Sequence, residues 1–206
     1  MAGCIITFEG TEGCGKSTHI KKLARRLASE GHTVRTLREP GGTESGEAIR
    51  QLLKHGPSEL TAEAELLLMN ASRAQLVREV IRPALEAGEV VLCDRFYDST
   101  TVYQGTGRGL DSTQVRTVID FAVGDIRPDL TLLLQIPLQT SEDRRARRAE
   151  TDRFEQSERA FFERIEAGYR ELAASEPDRI EVIDADLPIQ SVENAIWDAV
   201  CRTLKK

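Results

Sequence analysis

Residues 10–17 read GTEGCGKS and follow directly on the apolar run CIITF at 4–8. No other stretch restricts the possible folds as much. The pattern G-x-x-x-x-G-K-[ST] falls on Gly10, Gly15, Lys16 and Ser17. Its glycines let backbone N–H groups turn inward around phosphate oxygens, and the helix that follows points its positive N-terminus at the same anion. The lysine of such a loop reaches β- and γ-phosphates, and its hydroxyl ligates Mg²⁺. At average composition a chance match in a chain of this length is on the order of one in a hundred. A turn without any ligand is the competing reading, and it is weakened by the strand before the motif and the helix after it. Gly10, Thr11, Glu12, Gly13, Cys14, Gly15, Lys16, Ser17 and Thr18 are therefore the candidate triphosphate loop.

Such a loop needs a parallel sheet behind it. Five short runs rich in Ile, Val or Leu are suited to buried parallel strands: 4–8, 32–37, 90–93, 130–136 and 180–184. Helical spacing of apolar residues predicts helices over 17–30, 62–82, 154–173 and 189–204. The alternation predicts an α/β fold, a five-stranded parallel sheet with helices on both faces, in one domain spanning 1–206. The polar stretch SEDRRARRAETDR at 141–153 reads as an arginine-rich lid, over about residues 140–153, inserted in that domain.

Composition narrows the partners. A net charge of −6 argues against a nucleic-acid coating role. No apolar run approaches a membrane span, and MAGCIITF is too short for a signal peptide. The four cysteines form no CxxC pair, and His19, His32 and His55 make no metal-ligand spacing with them. A reduced, cytoplasmic protein is the expectation.

VVLCDR at 90–95 is an apolar strand ending in Asp94, whose carboxylate is expected beside Ser17 at a metal ion. There is no guanine-reading N-K-x-D segment. The arginines near strand ends instead suggest a kinase for a small anionic acceptor. Bringing an acceptor phosphate up to the γ-phosphate of ATP crowds several negative charges, which Mg²⁺ and guanidinium groups must offset. An ionised phosphate is already a nucleophile and needs no general base. Arg95 and Arg38 stand at strand ends, where this sheet type places ligands. Arg73 falls on the apolar stripe of its helix, so it needs a phosphate or a structural ion-pair partner. Arg50 alone reads as a solvated helix residue.

Taken together, FEGTEGCGKST (8–18), REPGGT (38–43), SRAQL (72–76), DRFYDSTTVYQGTGRG (94–109), RPDLTLLL (127–134) and DRFEQSERAFFERIEAGYRELA (152–173) resemble the bacterial thymidylate kinases, from about residue 5 to 185. The resemblance implies a P-loop kinase fold and transfer of the γ-phosphoryl group of ATP, with Mg²⁺, to dTMP in dTTP synthesis. It also implies a homodimer. It places Glu12 and Glu39 near the acceptor sugar, with a cis bond before Pro40, and puts Arg95, Arg73 and Arg38 on the acceptor phosphate with Arg50 close by. Ser99, Thr100 and Gln104 would read the thymine edge, and Tyr103 would press where a ribose carries its 2′-hydroxyl. Read alone, Tyr103 is a core residue and Ser99 and Thr100 are a helix cap.

Members of the family carry a basic residue in the loop or in the lid. Cys14 is neutral, so this chain resembles the lid type, with Arg148 the leading contact to the ATP phosphates and Arg144 on the same helical face. Lys16, Arg95, Arg148 and Glu12 are thus the candidate catalytic set. Two positions depart from the family pattern. Met69 stands where a Phe often stacks on thymine, which keeps open a kinase for dUMP or a deoxynucleoside. Gln135 replaces a common carboxylate, with no consequence we can derive. A nucleotide-sensing module without turnover is a third reading, opposed by the intact set Lys16, Ser17, Asp94 and Arg95.

Overall fold

The computed structural model describes residues 3–56, 60–146 and 158–205. Along the chain these form β1 (Cys4–Glu9), α1 (Lys16–Ser29), β2 (Val34–Arg38), α2 (Glu44–His55), α3 (Ala62–Leu76), α4 (Arg82–Glu86), β3 (Val90–Asp94), α5 (Tyr97–Thr100), α6 (Ser112–Val123), β4 (Leu130–Gln135), α7 (Leu138–Ala146), α8 (Arg159–Ser175), β5 (Ile180–Asp184) and α9 (Ile189–Leu204). The strands pair in parallel in the order β2-β3-β1-β4-β5. Each predicted apolar run carries one of them.

Near-continuous apolar strands still sort their side chains by the period of two. Ile6, Phe8, Leu92, Leu132 and Leu134 pack on one face with Ile20, Leu23 and Leu27 of α1 and Val192, Ile196 and Val200 of α9. Ile5 and Val91 face the other way, onto Leu66 and Leu76 of α3 and Val115, Ile119 and Val123 of α6. Leu133 meets Phe161, Phe162, Ile165 and Tyr169 of α8. Each such large side chain, fully buried, contributes about 1.5–3 kcal/mol.

The structure departs from the sequence-based expectations at four places. The run at 32–37, expected as a buried strand, gives the edge strand β2, in which no residue is buried because only β3 pairs with it. The single helix expected over 62–82 is α3 followed by a π-helical turn, Val77–Ile81, that runs into α4. Pro83 lacks an N–H and crowds the carbonyl four residues earlier, and a widened turn relieves both problems. A second π-helical segment, Thr101–Gly107, prolongs α5. Finally, α2, α6 and α7 were not evident from apolar spacing. The first part of the polar stretch at 141–153 is helical as α7, whereas Arg147, Arg148 and Arg153 lie outside the described residues.

Because β1 is central, the loop leaving its carboxyl end opens beside β3 and β4. In open sheets of this kind ligands bind at that edge.

Candidate active site

At Gly10 (φ 128°) a Cβ would lie 2.3 Å from the Leu134 carbonyl oxygen, so only glycine lets the chain pass β4 so closely. Past Gly15, the N–H groups of Thr18 and His19 bond back to the Gly15 carbonyl and start α1. Lys16 is buried and folded over the loop, donating to the carbonyls of Gly10 (2.9 Å) and Thr11 (3.0 Å). Ser17 Oγ donates to Asp94 Oδ2 at 2.8 Å, which joins the loop to the end of β3 as expected. Hard oxygen donors of this kind suit Mg²⁺. Among the described residues no group of three or more His, Cys, Asp or Glu is placed to hold a metal ion.

The loop opens into a cleft of about 620 Å³. Its walls include Glu12, Gly13, Gly15, Lys16, Ser17 and Thr18 from the loop, Arg38, Glu39 and Pro40 after β2, Arg50 of α2, Met69 and Arg73 of α3, and Asp94 and Arg95 after β3. Ser99, Thr100, Tyr103, Gln104 and Arg144 also line it. Three predicted loop residues are not on these walls. Gly10 and Thr11 line a smaller cavity of about 480 Å³, and the Cys14 side chain is buried in the core. Arg148 lies outside the described residues.

Arg95 is at the centre of this arrangement. It has φ 70°, a conformation that non-glycine residues hold only when their surroundings enforce it. Its guanidinium donates to Glu12 Oε1 (2.6 Å), Ser99 Oγ (2.9 Å) and the hydroxyls of Tyr103 (3.1 Å) and Tyr169 (3.3 Å). Tyr103 in turn donates to Glu12 at 3.0 Å. Burial pushes the Glu12 carboxyl up, but Arg95 and Lys16 outweigh it and hold it below the ordinary carboxylate range.

Sequence reasoning missed the residue behind Arg95. Glu9, the last residue of β1, is fully buried and accepts from the Phe96 N–H (2.8 Å), Ser99 Oγ (2.5 Å) and the Tyr169 hydroxyl (2.8 Å). Burial and the neighbouring Asp98 raise its carboxyl above the usual value, against the pull of Arg95. The available signal was a carboxylate ending an apolar strand, masked by the glycine motif beside it. Tyr169 lies within the helix expected over 154–173, where spacing alone gives no sign of its contact with Glu9. Ser99 and Thr100 are not a cap, because Phe96 stands at the helix start and both lie buried within α5.

Of the two partners open to Arg73, the structure supplies the ion pair. Arg73 is 2% exposed, reaches Glu39 Oε2 at 2.7 Å, and donates to Asn70 Oδ1 (2.9 Å) and the Phe96 carbonyl (3.2 Å). The Glu39–Pro40 bond is cis, as expected. Arg50 donates to the Pro40 carbonyl at 2.9 Å, and Arg38 pairs with Glu47 at 2.9 Å at the rim.

Burial lifts the Glu39 carboxyl to about 7, with Arg73 only partly opposing it. As pH rises above the ordinary Glu value, the unfolded chain releases this proton while the folded chain keeps it. Stability therefore falls with rising pH until the folded-state value is passed. Urea denaturation between about pH 5 and pH 8 is expected to show the wild type losing stability steadily relative to Glu39→Gln. Parallel profiles for the two proteins would remove the buried proton.

Gln104 donates from Nε2 to Glu65 Oε1 (2.8 Å) on α3, a second buried carboxylate that sequence reasoning passed over. On the other side, α7 sits on the loop. A Cβ on Gly13 (φ 81°) would lie 3.1 Å from Arg144 Cβ, Ser141 Oγ donates to the Glu12 carbonyl (2.7 Å), and Arg144 donates to the Gly13 carbonyl (3.0 Å).

The glycine loop faces partly buried Arg95 and buried Tyr103 and Gln104 across one cleft, and the thymidylate kinase family profile matches residues 8–196. The chain belongs to the thymidylate kinase family. The thymidylate kinase of Pseudomonas fluorescens is 48% identical, covering 99% of this chain and 97% of its own. That of Alcanivorax borkumensis is 47% identical, covering 95% of each. That of Deinococcus radiodurans is 46% identical, covering 96% of each. The crystal structure of thymidylate kinase from Ehrlichia chaffeensis has a TM-score of 0.79 at 30% identity, covering 97% of this chain and 99% of that one. The P-loop kinase fold of the family is thereby the fold of this chain.

Proposed function

We propose that this protein transfers the γ-phosphoryl group of ATP to dTMP, giving dTDP and ADP, as a step in dTTP synthesis. The observation that carries the reading is the single cleft in which Lys16 and Ser17 of the loop face Arg95, Tyr103 and Gln104. A dTMP phosphate oxygen forms the new bond to the γ-phosphorus as the bond to the bridging oxygen of ADP breaks. The transferred group passes through a loose transition state, so positioning and charge offset supply the acceleration. Arg95, with Arg38 and Arg50 at the rim, holds the acceptor phosphate, and Arg73 supports it from the cleft wall. Lys16 leaves the loop carbonyls to meet the ATP phosphates. Ser17 and Asp94 would hold Mg²⁺, which supplies neutralisation of phosphate charge when bound. Glu12 faces the sugar, and Tyr103 fills the space that a 2′-hydroxyl would need.

The decisive experiment is ADP formation with Mg²⁺-ATP over a panel of dTMP, dUMP, dCMP and deoxynucleosides. Turnover on dTMP well above the others is expected. A preference for another acceptor would refute the substrate assignment, and ATP binding with no turnover at all would favour a sensing module. Half-buried Met69 on the cleft wall keeps dUMP as the second reading.

We assign residues 1–206 to one domain whose lid covers about 140–153, with Arg144 and Arg148 directed at the triphosphate. Arg148→Ala is expected to lower kcat about 10²-fold while leaving dTMP affinity nearly unchanged, because a transition-state contact is lost. Single-turnover rates with measured dTMP binding check this, and an unchanged kcat removes the role. A cytoplasmic homodimer is the state we expect. Exposed Leu67 of α3 and Phe121 of α6 favour it, and a monomer mass in sedimentation would refute it.

A further inference from the structure

Gln104 carries a side chain with two unlike ends. Its amide oxygen accepts a hydrogen bond and its NH₂ donates one, and rotation by half a turn exchanges them. Thymine and cytosine differ at the position such a group would test: N3 of thymine carries a hydrogen, whereas N3 of cytosine is a bare acceptor. The reading of Gln104 as a base contact therefore leaves open which end faces the base, and α3 supplies the answer.

The Gln104 side chain is 1% exposed and stands on the cleft wall, with Nε2 2.8 Å from Glu65 Oε1. Glu65 is 1% exposed, and Arg108 holds its two oxygens from Nε and Nη2, each at 3.3 Å. A carboxylate paired with guanidinium accepts only, so the amide must present its NH₂ to Glu65. Rotation of the amide would set oxygen against oxygen in a site closed to water, where an unmatched polar pair is costly. The amide oxygen is then the end left for the cleft.

We propose that Glu65 is a specificity-determining positioning residue: by fixing the Gln104 amide, it selects a base with hydrogen on N3 and rejects cytosine. The inference rests on the dTMP kinase reading above. Glu65 itself touches no substrate and acts through Gln104. It makes no distinction between thymine and uracil, which present the same hydrogen at N3, so its effect is confined to one pair of substrates.

The test is kcat/KM for dTMP, dUMP and dCMP in the wild type, Glu65→Gln and the exchange Glu65→Gln/Gln104→Glu. An amide at 65 can meet either end of Gln104, so the clamp is released. The preference for dTMP over dCMP is expected to fall at least about tenfold in Glu65→Gln, with the dTMP-to-dUMP ratio unchanged. The exchange keeps the total charge, restores a donor–acceptor pair across the two helices and returns an acceptor to the cleft, so rejection of dCMP should recover. An unaltered dTMP-to-dCMP ratio in Glu65→Gln, or loss of all three activities in parallel, would overturn the proposal. If Glu65→Gln does not fold, the exchange variant decides: retained rejection of dCMP supports the clamp, and lost rejection overturns it. A wild type inactive on dTMP would instead overturn the underlying assignment.

Discussion

Replacing Arg95 by alanine is expected to lower kcat/KM for dTMP about 10³-fold, the largest catalytic effect of any single substitution considered for this cleft. Three losses coincide. In the proposed mechanism the acceptor phosphate loses its central planar fork, which Arg38 and Arg50 at the rim replace only in part. Glu12, which Arg95 and Lys16 together hold below its ordinary carboxylate range against burial, loses its 2.6 Å partner and keeps Lys16 and the Tyr103 hydroxyl. The hydroxyls of Ser99, Tyr103 and Tyr169 each lose a donor. Breaking a largely buried pair without replacing it costs about 3–5 kcal/mol, so the thermal midpoint should fall too. Arg95→Lys keeps the charge without the fork and should fall between the two. Initial-rate kinetics and a melting curve read both effects. Activity within threefold of wild type in Arg95→Ala would sink the central role given to this residue.

Glu9→Ala is expected to cost about 3 kcal/mol of stability and about 10²-fold in kcat/KM, although Glu9 reaches no substrate. Two effects oppose each other. Removing a buried carboxyl relieves its own burial cost, which the raised Glu9 value expresses. Against that, the Phe96 N–H, the Ser99 hydroxyl and the Tyr169 hydroxyl lose their acceptor inside a closed site. Unsatisfied buried donors cost about 1–3 kcal/mol each, so their sum wins. The catalytic loss follows from the backbone. The Phe96 N–H is the bond immediately after the left-handed turn at Arg95, and Glu9 holds it. Without that acceptor the turn relaxes and carries the guanidinium away from the phosphate. Denaturation together with kcat/KM on dTMP tests the pair of effects. A variant as stable and active as wild type would mean that the turn is held by other contacts.

The difference between Arg95 and Glu9 marks what could be read in the sequence. Arg95 was legible because it follows Asp94 at the end of an apolar run, and strand ends in a doubly wound sheet are where ligands gather. The five strands were legible because each apolar run is short and lies between helical or loop stretches. Glu9 was not, since its partners at 96, 99 and 169 meet only when β1, α5 and α8 pack together. Glu65 was hidden similarly: at the start of α3 a carboxylate looks like an ordinary first-turn residue, and only folding brings Gln104 and Arg108 to it. The helix α5 and its π-helical continuation were missed because their polar members point into a cleft, so no amphipathic stripe forms. For Arg73 the sequence could say that a partner was required and could not say which, because Glu39 is 34 residues away.

Two successive peptide units link the two halves of the cleft. The Glu12 side chain holds Arg95, while the carbonyls of Glu12 and Gly13 hold Ser141 and Arg144 of α7. Displacing the acceptor side pulls on the same short backbone to which α7 is tethered. If the two nucleotides bind as proposed above, their sites share this stretch, and any coupling between them is equal in both directions. Acceptor affinity measured with and without a bound triphosphate thus reports on the stiffness of a single stretch, Glu12–Gly13.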